Sequence, residues 1–66
     1  MKLKERLKEL RAERNLTLEQ LAKKTQLSRA SLSFWEKGER MPSAYVIYVL
    51  AKYYDVSADY ILGLID

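Results

Sequence analysis

Residues 28–40 read SRASLSFWEKGER, and the side chains there that could do chemistry are suited to recognition. Ser28 and Ser33 carry hydroxyls that donate and accept, Arg29 a planar fork of N–H donors, Lys37 and Arg40 cationic ends, and Phe34 a flat apolar ring. Successive residues of a helix turn by about 100° around its axis. With Leu32 at zero, Glu36 then falls near about 40° and Trp35 near about −60°, so Leu32 and Trp35 share a face that can enter a core. Arg29, Ser33, Lys37, Ala30 and Phe34 follow at about 60°, 100°, 140°, 160° and 200°. Phe34 thus points almost directly away from Leu32. A face that mixes hydroxyls, a guanidinium, an ammonium and one aromatic ring has no core to enter in a chain of 66 residues. It is expected to be a contact surface, with Trp35 as the core aromatic.

Catalysis is not expected. The chain has no His and no Cys, its carboxylates are scattered over helix surfaces, and no Gly-rich phosphate loop is present. Without cysteine there is neither a disulfide nor a thiolate metal site, and no cofactor, metal or small-molecule ligand is inferred. A chain of 66 residues suffices for one small domain and not for an enclosed active site. No apolar run reaches the roughly 18 to 20 residues of a membrane span, and the opening MKLKERLKELR lacks the apolar stretch of a signal peptide. No membrane partner is expected, and a cytoplasmic location is the default. Residues 1–40 carry 11 Lys/Arg against 6 Asp/Glu, whereas residues 41–66 carry 1 against 3. Basicity is therefore N-terminal, although charge alone fits an ordinary solvated helix surface equally well.

Five short helices must position these groups. Leu3, Leu7 and Leu10 make one apolar stripe on the first, which Asn15 ends by tolerating a left-handed conformation. TLEQ opens the second, with Thr17 and Gln20 as a capping box, Leu16 placed to staple against Leu21, and Leu18, Leu21 and Ala22 facing inward. Ser28 caps a third helix running to about Lys37, where Gly38 supplies the left-handed end. Ser43 caps a fourth through AYVIYVLAKYY, and Ser57 and Gly63 bracket a fifth. No strand is called for. On the fourth helix the spacing puts Ala44, Ile47, Leu50, Ala51 and Tyr54 in the core, leaving Tyr45, Val46, Tyr48, Val49 and Tyr53 outside. Tyr45, Val49 and Tyr53 form a second stripe, which reads either as a partner surface or as tyrosines shielding a small core with their hydroxyls in water.

TLEQLAKKTQLSRASLSFWEKGE, with Ala22 at a tight helix crossing, Leu32 past the turn and a Trp-Glu-Lys-Gly close, resembles the helix-turn-helix of the phage repressor and Cro group, often called the XRE family. The likeness runs over nearly the whole chain, including the P-S start of the fourth helix and the ending DVSADYILGL. It implies an all-α, five-helix, lambda-repressor-like domain spanning residues 1–66, with the helix-turn-helix at about 17–37. One position departs from the pattern: the turn usually offers Gly where this chain has Gln26, so a left-handed residue there is strained by about 1 kcal/mol relative to Gly.

The resemblance further implies that the third helix enters the major groove of double-stranded DNA. Arg29 then pairs with guanine, Ser28 or Ser33 donates to base or phosphate acceptors, and Ala30 and Phe34 meet thymine methyl groups. Lys37 and Arg40 approach phosphates, as do the helix starts at Thr17, Leu18 and Ser43. Arg11 and Glu36 are implied to pair between the first and third helices. A sequence-specific DNA-binding transcriptional regulator, repressor-like, is the expected function. The rival is a helix-turn-helix protein-interaction module, antitoxin-like or bridging, acting through the fourth helix. One short helix reads few base pairs, so a homodimer on a two-fold site is expected. Its surface is Tyr45, Val49 and Tyr53, or Val56, Ala58 and Tyr60, the second favoured by the resemblance.

Overall fold

Side-chain caps set the starts of four of the five helices. A computed structural model describes all residues, Met1–Asp66. Its elements are α1 (Leu3–Glu13), α2 (Leu18–Thr25), α3 (Arg29–Lys37), α4 (Ala44–Tyr54) and α5 (Ala58–Leu62), with no strand. Thr17 and Gln20 close a complete capping box: the Thr17 hydroxyl accepts from the Gln20 N–H at 3.0 Å and the Gln20 amide oxygen accepts from the Thr17 N–H at 2.9 Å. Ser28, Ser43 and Ser57 each accept from the N–H three residues on, which satisfies one otherwise orphaned donor per helix. Left-handed residues end the segments at Asn15, Gln26, Gly38, Asp55 and Gly63.

Three of those five positions are not glycine. Gln26 has φ 60° and ψ 28°, so the strain foreseen for the turn is present. Replacing Gln26 with Gly should raise stability by roughly 0.5 to 1 kcal/mol, which for a domain this small is a rise of several degrees in melting temperature. Thermal unfolding followed by circular dichroism checks it, and an unchanged or lower midpoint would mean the glutamine sits there at no cost.

The five helices bury one core of Leu3, Leu7, Leu10, Leu21, Leu32, Val46, Ile47, Leu50, Ala51, Tyr54 and Ile61. Leu16, Leu18 and Ala22 pack against its edge. Two expectations about faces are corrected. On α4, Val46 is buried and Ala44 exposed, because Ala44, on the first turn, lines an open groove rather than the closed core, while Val46, Ile47, Leu50, Ala51 and Tyr54 form the inward stripe. Trp35 is only half-buried against the core margin, and the aromatic that enters the core is Tyr54, which is 3% exposed.

Arginines stitch the helices together at their ends. Arg6 is buried on α1, an unexpected place for a cation. It donates through Nη1 to the Tyr60 carbonyl at 3.0 Å, and its guanidinium lies 4.0 Å from the Tyr60 ring centroid, which joins α1 to α5. Arg14 donates to the Tyr54 carbonyl at 3.1 Å, placing a positive charge on the negative end of α4. None of the helices is long and apolar enough to cross a membrane.

Candidate nucleic-acid interface

The orientation of α3 is set from behind. Leu32 and Glu36 point inward, and Glu36 is only 5% exposed. A lone buried carboxylate would be costly, but both of its oxygens accept from Arg11, Nε to Oε2 at 2.8 Å and Nη2 to Oε1 at 2.9 Å. The Arg11 Nη1 also donates to the Leu16 carbonyl at 2.9 Å. One guanidinium thus ties α1, the α1–α2 connection and α3 together. The hydrogen bond to Glu36 is the main reason that the Arg11 pKa is raised further above its ordinary value.

With the back of α3 clamped, its front carries Arg29 and Ala30 exposed, Ser33 and Phe34 half-buried, and Lys37 exposed. Arg29 and Lys37 make no hydrogen bond or ion pair within the chain, so their donors face outward unspent. Ser28 is exposed at the start of the helix; its oxygen accepts from the Ser31 N–H at 3.2 Å, which leaves its hydroxyl proton and one lone pair to offer a partner. An open cleft runs from Arg29 to the start of α2, bounded by Arg11, Asn15, Leu16, Thr17, Leu18 and Glu19. Leu18 and Glu19, on the first turn of α2, border the cleft, and their N–H groups have no intrahelical acceptor. Arg29, Thr17 and Leu18 are therefore brought together. Ser43, at the start of α4, does not border this cleft.

Arg40 belongs to a different local arrangement. Its guanidinium lies over the Phe34 ring, 4.2 Å from the centroid, a contact that spacing along one helix does not reveal because the chain reverses between the two residues.

The two candidate partner surfaces fare differently. Along the α4 stripe Tyr45 stands out, 69% exposed, but Val49 and Tyr53 are half-buried. Tyr53 meets Tyr54 edge-on, with ring centroids 5.2 Å apart and an interplanar angle of 71°. Val56 and Tyr60 pack against the core, Tyr60 under Arg6, and Ala58 is exposed. An apolar groove also lies between α4 and α5, where Tyr48, 59% exposed, Ala44, Ala58 and Leu62 flank the buried Ile47 and Ala51.

A five-helix domain in which a capped α2 and a clamped α3 form a helix-turn-helix is the class that this geometry defines. The helix-turn-helix family profile matches residues 7–61, and the chain belongs to that family, in its phage repressor and Cro branch. It is 44% identical over 62 residues to the HTH-type transcriptional regulator YobD of Bacillus subtilis, covering 94% of this chain and 55% of that protein. To the HTH-type transcriptional activator BcrR of Enterococcus faecalis it is 37% identical over 63 residues, covering 96% of this chain and 31% of BcrR. An HTH-type transcriptional regulator of Methanocaldococcus jannaschii is 41% identical over 57 residues, 86% of each chain. The chain thus spans about half of YobD and under a third of BcrR. No solved structure matches it.

Proposed function

We propose that this chain is a sequence-specific double-stranded DNA-binding domain of a transcriptional regulator, reading the major groove with α3. The observation that carries this reading is the front of α3: Arg29, Ala30, Ser33 and Lys37 face outward with the two cations unpaired, while Leu32 and the Arg11–Glu36 pair hold the helix from behind. Arg29 offers a bidentate fork to guanine, and Ala30 fits a thymine methyl group. Lys37, Arg40 and the open N–H groups at the start of α2 address phosphates and set the register. Relatives named as transcriptional regulators support the same reading. The sign of regulation is not carried over, since one of the relatives, BcrR, is named an activator.

Selection of bound sequences from a random DNA pool tests the proposal directly. A single enriched motif is expected, with an affinity whose logarithm falls steeply as the logarithm of salt concentration rises. Arg29→Ala should weaken binding to that motif by roughly 1 to 3 kcal/mol and relax preference at one base pair. An unchanged selected motif after that substitution would remove Arg29 from base reading. No enrichment at all, with salt-insensitive capture of a protein instead, would favour the interaction-module reading, toward which the apolar α4–α5 groove points.

On the DNA-binding reading, we propose that the same groove, around Tyr48 and Ala58, joins two copies of the chain. The recognition helices of a two-fold site must stand about 34 Å apart. Domains measuring 28 × 23 × 20 Å reach that spacing when joined side by side, away from α2 and α3. The surface is small, so the free chain should sediment mainly as a monomer at micromolar concentration and bind the selected site as two chains per duplex. One chain per site with undiminished selectivity would dispose of the dimer.

A further inference from the structure

We infer that Phe34 is a positioning residue for Arg40, holding its guanidinium on a DNA phosphate, and that it does not read a base. The inference rests on the DNA-binding reading of α3 above and deepens it. In angular terms Phe34 sits on the outward face of α3, which is what made a thymine contact attractive. The structure shows the ring half-buried, with one face covered by the Arg40 guanidinium 4.2 Å from its centroid.

The covering is built into the end of α3. Gly38 has φ +76°, a conformation that costs glycine little and lets the chain turn back on itself. Its N–H donates to the Trp35 carbonyl at 3.2 Å, and the Glu39 N–H donates to the Phe34 carbonyl at 3.0 Å, a paired closure of the Schellman type. Because residue 39 is tied to the backbone of residue 34, residue 40 is returned to the side chain of residue 34. The reversal is also packed from outside: a Cβ on Gly38 would lie 2.9 Å from the Lys4 side chain. Arg40 is exposed and makes no hydrogen bond or ion pair within the chain.

With its guanidinium over the ring and no acceptor elsewhere in the chain, Arg40 keeps its N–H donors free. An unrestrained surface arginine loses much of its rotamer freedom when it engages a phosphate. One already parked on an aromatic face has lost part of that freedom before DNA arrives, which favours binding without adding a new contact to DNA. Phe34 thereby contributes affinity that is indifferent to base sequence.

The test uses the DNA site selected by the parent chain and four variants: Phe34→Leu, Phe34→Tyr, Arg40→Ala, and Phe34→Leu combined with Arg40→Ala. Each is first checked for folding by circular dichroism. Sequence-selective, salt-steep binding by the parent establishes the DNA reading on its own, and its absence would end that reading irrespective of Phe34. Given that binding, Phe34→Leu should weaken it by about two- to fivefold, the scale of part of one arginine side chain's ordering cost, and Arg40→Ala by at least as much, on selected and scrambled sites alike. Arg40→Ala should lower the salt slope by about one, the double variant should be no weaker than Arg40→Ala, and Phe34→Tyr should keep parental affinity because its π face is intact. A changed base preference at one position in Phe34→Leu would overturn the proposal in favour of a thymine contact. Multiplicative losses in the double variant, or equal losses in Phe34→Tyr and Phe34→Leu, would show that Phe34 acts independently of Arg40.

Discussion

Arg11→Ala is expected to cost roughly 3 to 5 kcal/mol and to leave much of the chain unfolded at room temperature. Removing the guanidinium strands the Glu36 carboxylate, 5% exposed and otherwise without a partner, and uncompensated buried charge of this kind is destabilising on that scale. A domain of 66 residues has a total stability of only about 3 to 10 kcal/mol to lose. The loss of the donor to Leu16 adds to the effect. Arg11→Lys should recover little, because an ammonium cannot form the paired Nε and Nη2 bonds. Replacing both partners at once, Arg11→Met with Glu36→Leu, should recover most of the stability, since the ion pair is needed mainly once one of its charges is present. Urea unfolding followed by circular dichroism separates these outcomes. If Arg11→Ala cost under about 1 kcal/mol, the ordinary worth of an exposed pair, the clamp on α3 would have to lie elsewhere.

The second large effect concerns alkaline pH. The Tyr54 side chain is buried and its hydroxyl has no hydrogen-bond partner. Burial, aided by the nearby charge of Glu36 and by Tyr53 and opposed by Arg11 and Arg14, pushes its pKa up to about 12 from an ordinary 10.0. The raised value means that the unfolded chain releases this proton first. The stability linked to Tyr54 is therefore fully present below pH 10 and is lost as pH rises toward 12. The loss amounts to roughly 2 to 3 kcal/mol. Tyr54→Phe removes this component from the alkaline unfolding curve. At neutral pH it should be neutral or mildly stabilising, because the hydroxyl it deletes is unsatisfied. A drop in neutral-pH melting temperature of many degrees in Tyr54→Phe would mean that the phenol has a partner in solution. An alkaline curve identical to the parent's would mean that the ionisation lies elsewhere.

Most of the fold was legible in the sequence because its signals are local. A capping hydroxyl acts on an N–H three residues away, and a left-handed Gly or Asn acts on the turn it closes, so Thr17, Ser28, Ser43, Ser57, Asn15, Gly38 and Gly63 marked helix ends without reference to the rest of the chain. The leucine stripe of α1 and the inward Leu32 of α3 followed from helical period alone. What tertiary structure decided were matters of distance between elements. Whether Ala44 or Val46 turns inward depends on where α4 begins relative to the core beneath it. Trp35 stops at the core margin because the end of α3 offers no fully covered position, whereas the inward place of Tyr54 on α4 already followed from its spacing. Arg6 is buried because α5 brings a carbonyl and a ring to it, partners 54 residues away in the chain. The groove beside Tyr48 and Ala58 exists only once α5 has docked. The stack of Arg40 on Phe34 arises because the Gly38 reversal makes neighbours of two residues whose directions no single helical period relates. Local hydrogen bonding and periodicity are properties of a short segment, whereas burial and cation–ring contacts belong to pairs of segments, and only the packed chain determines which pairs meet.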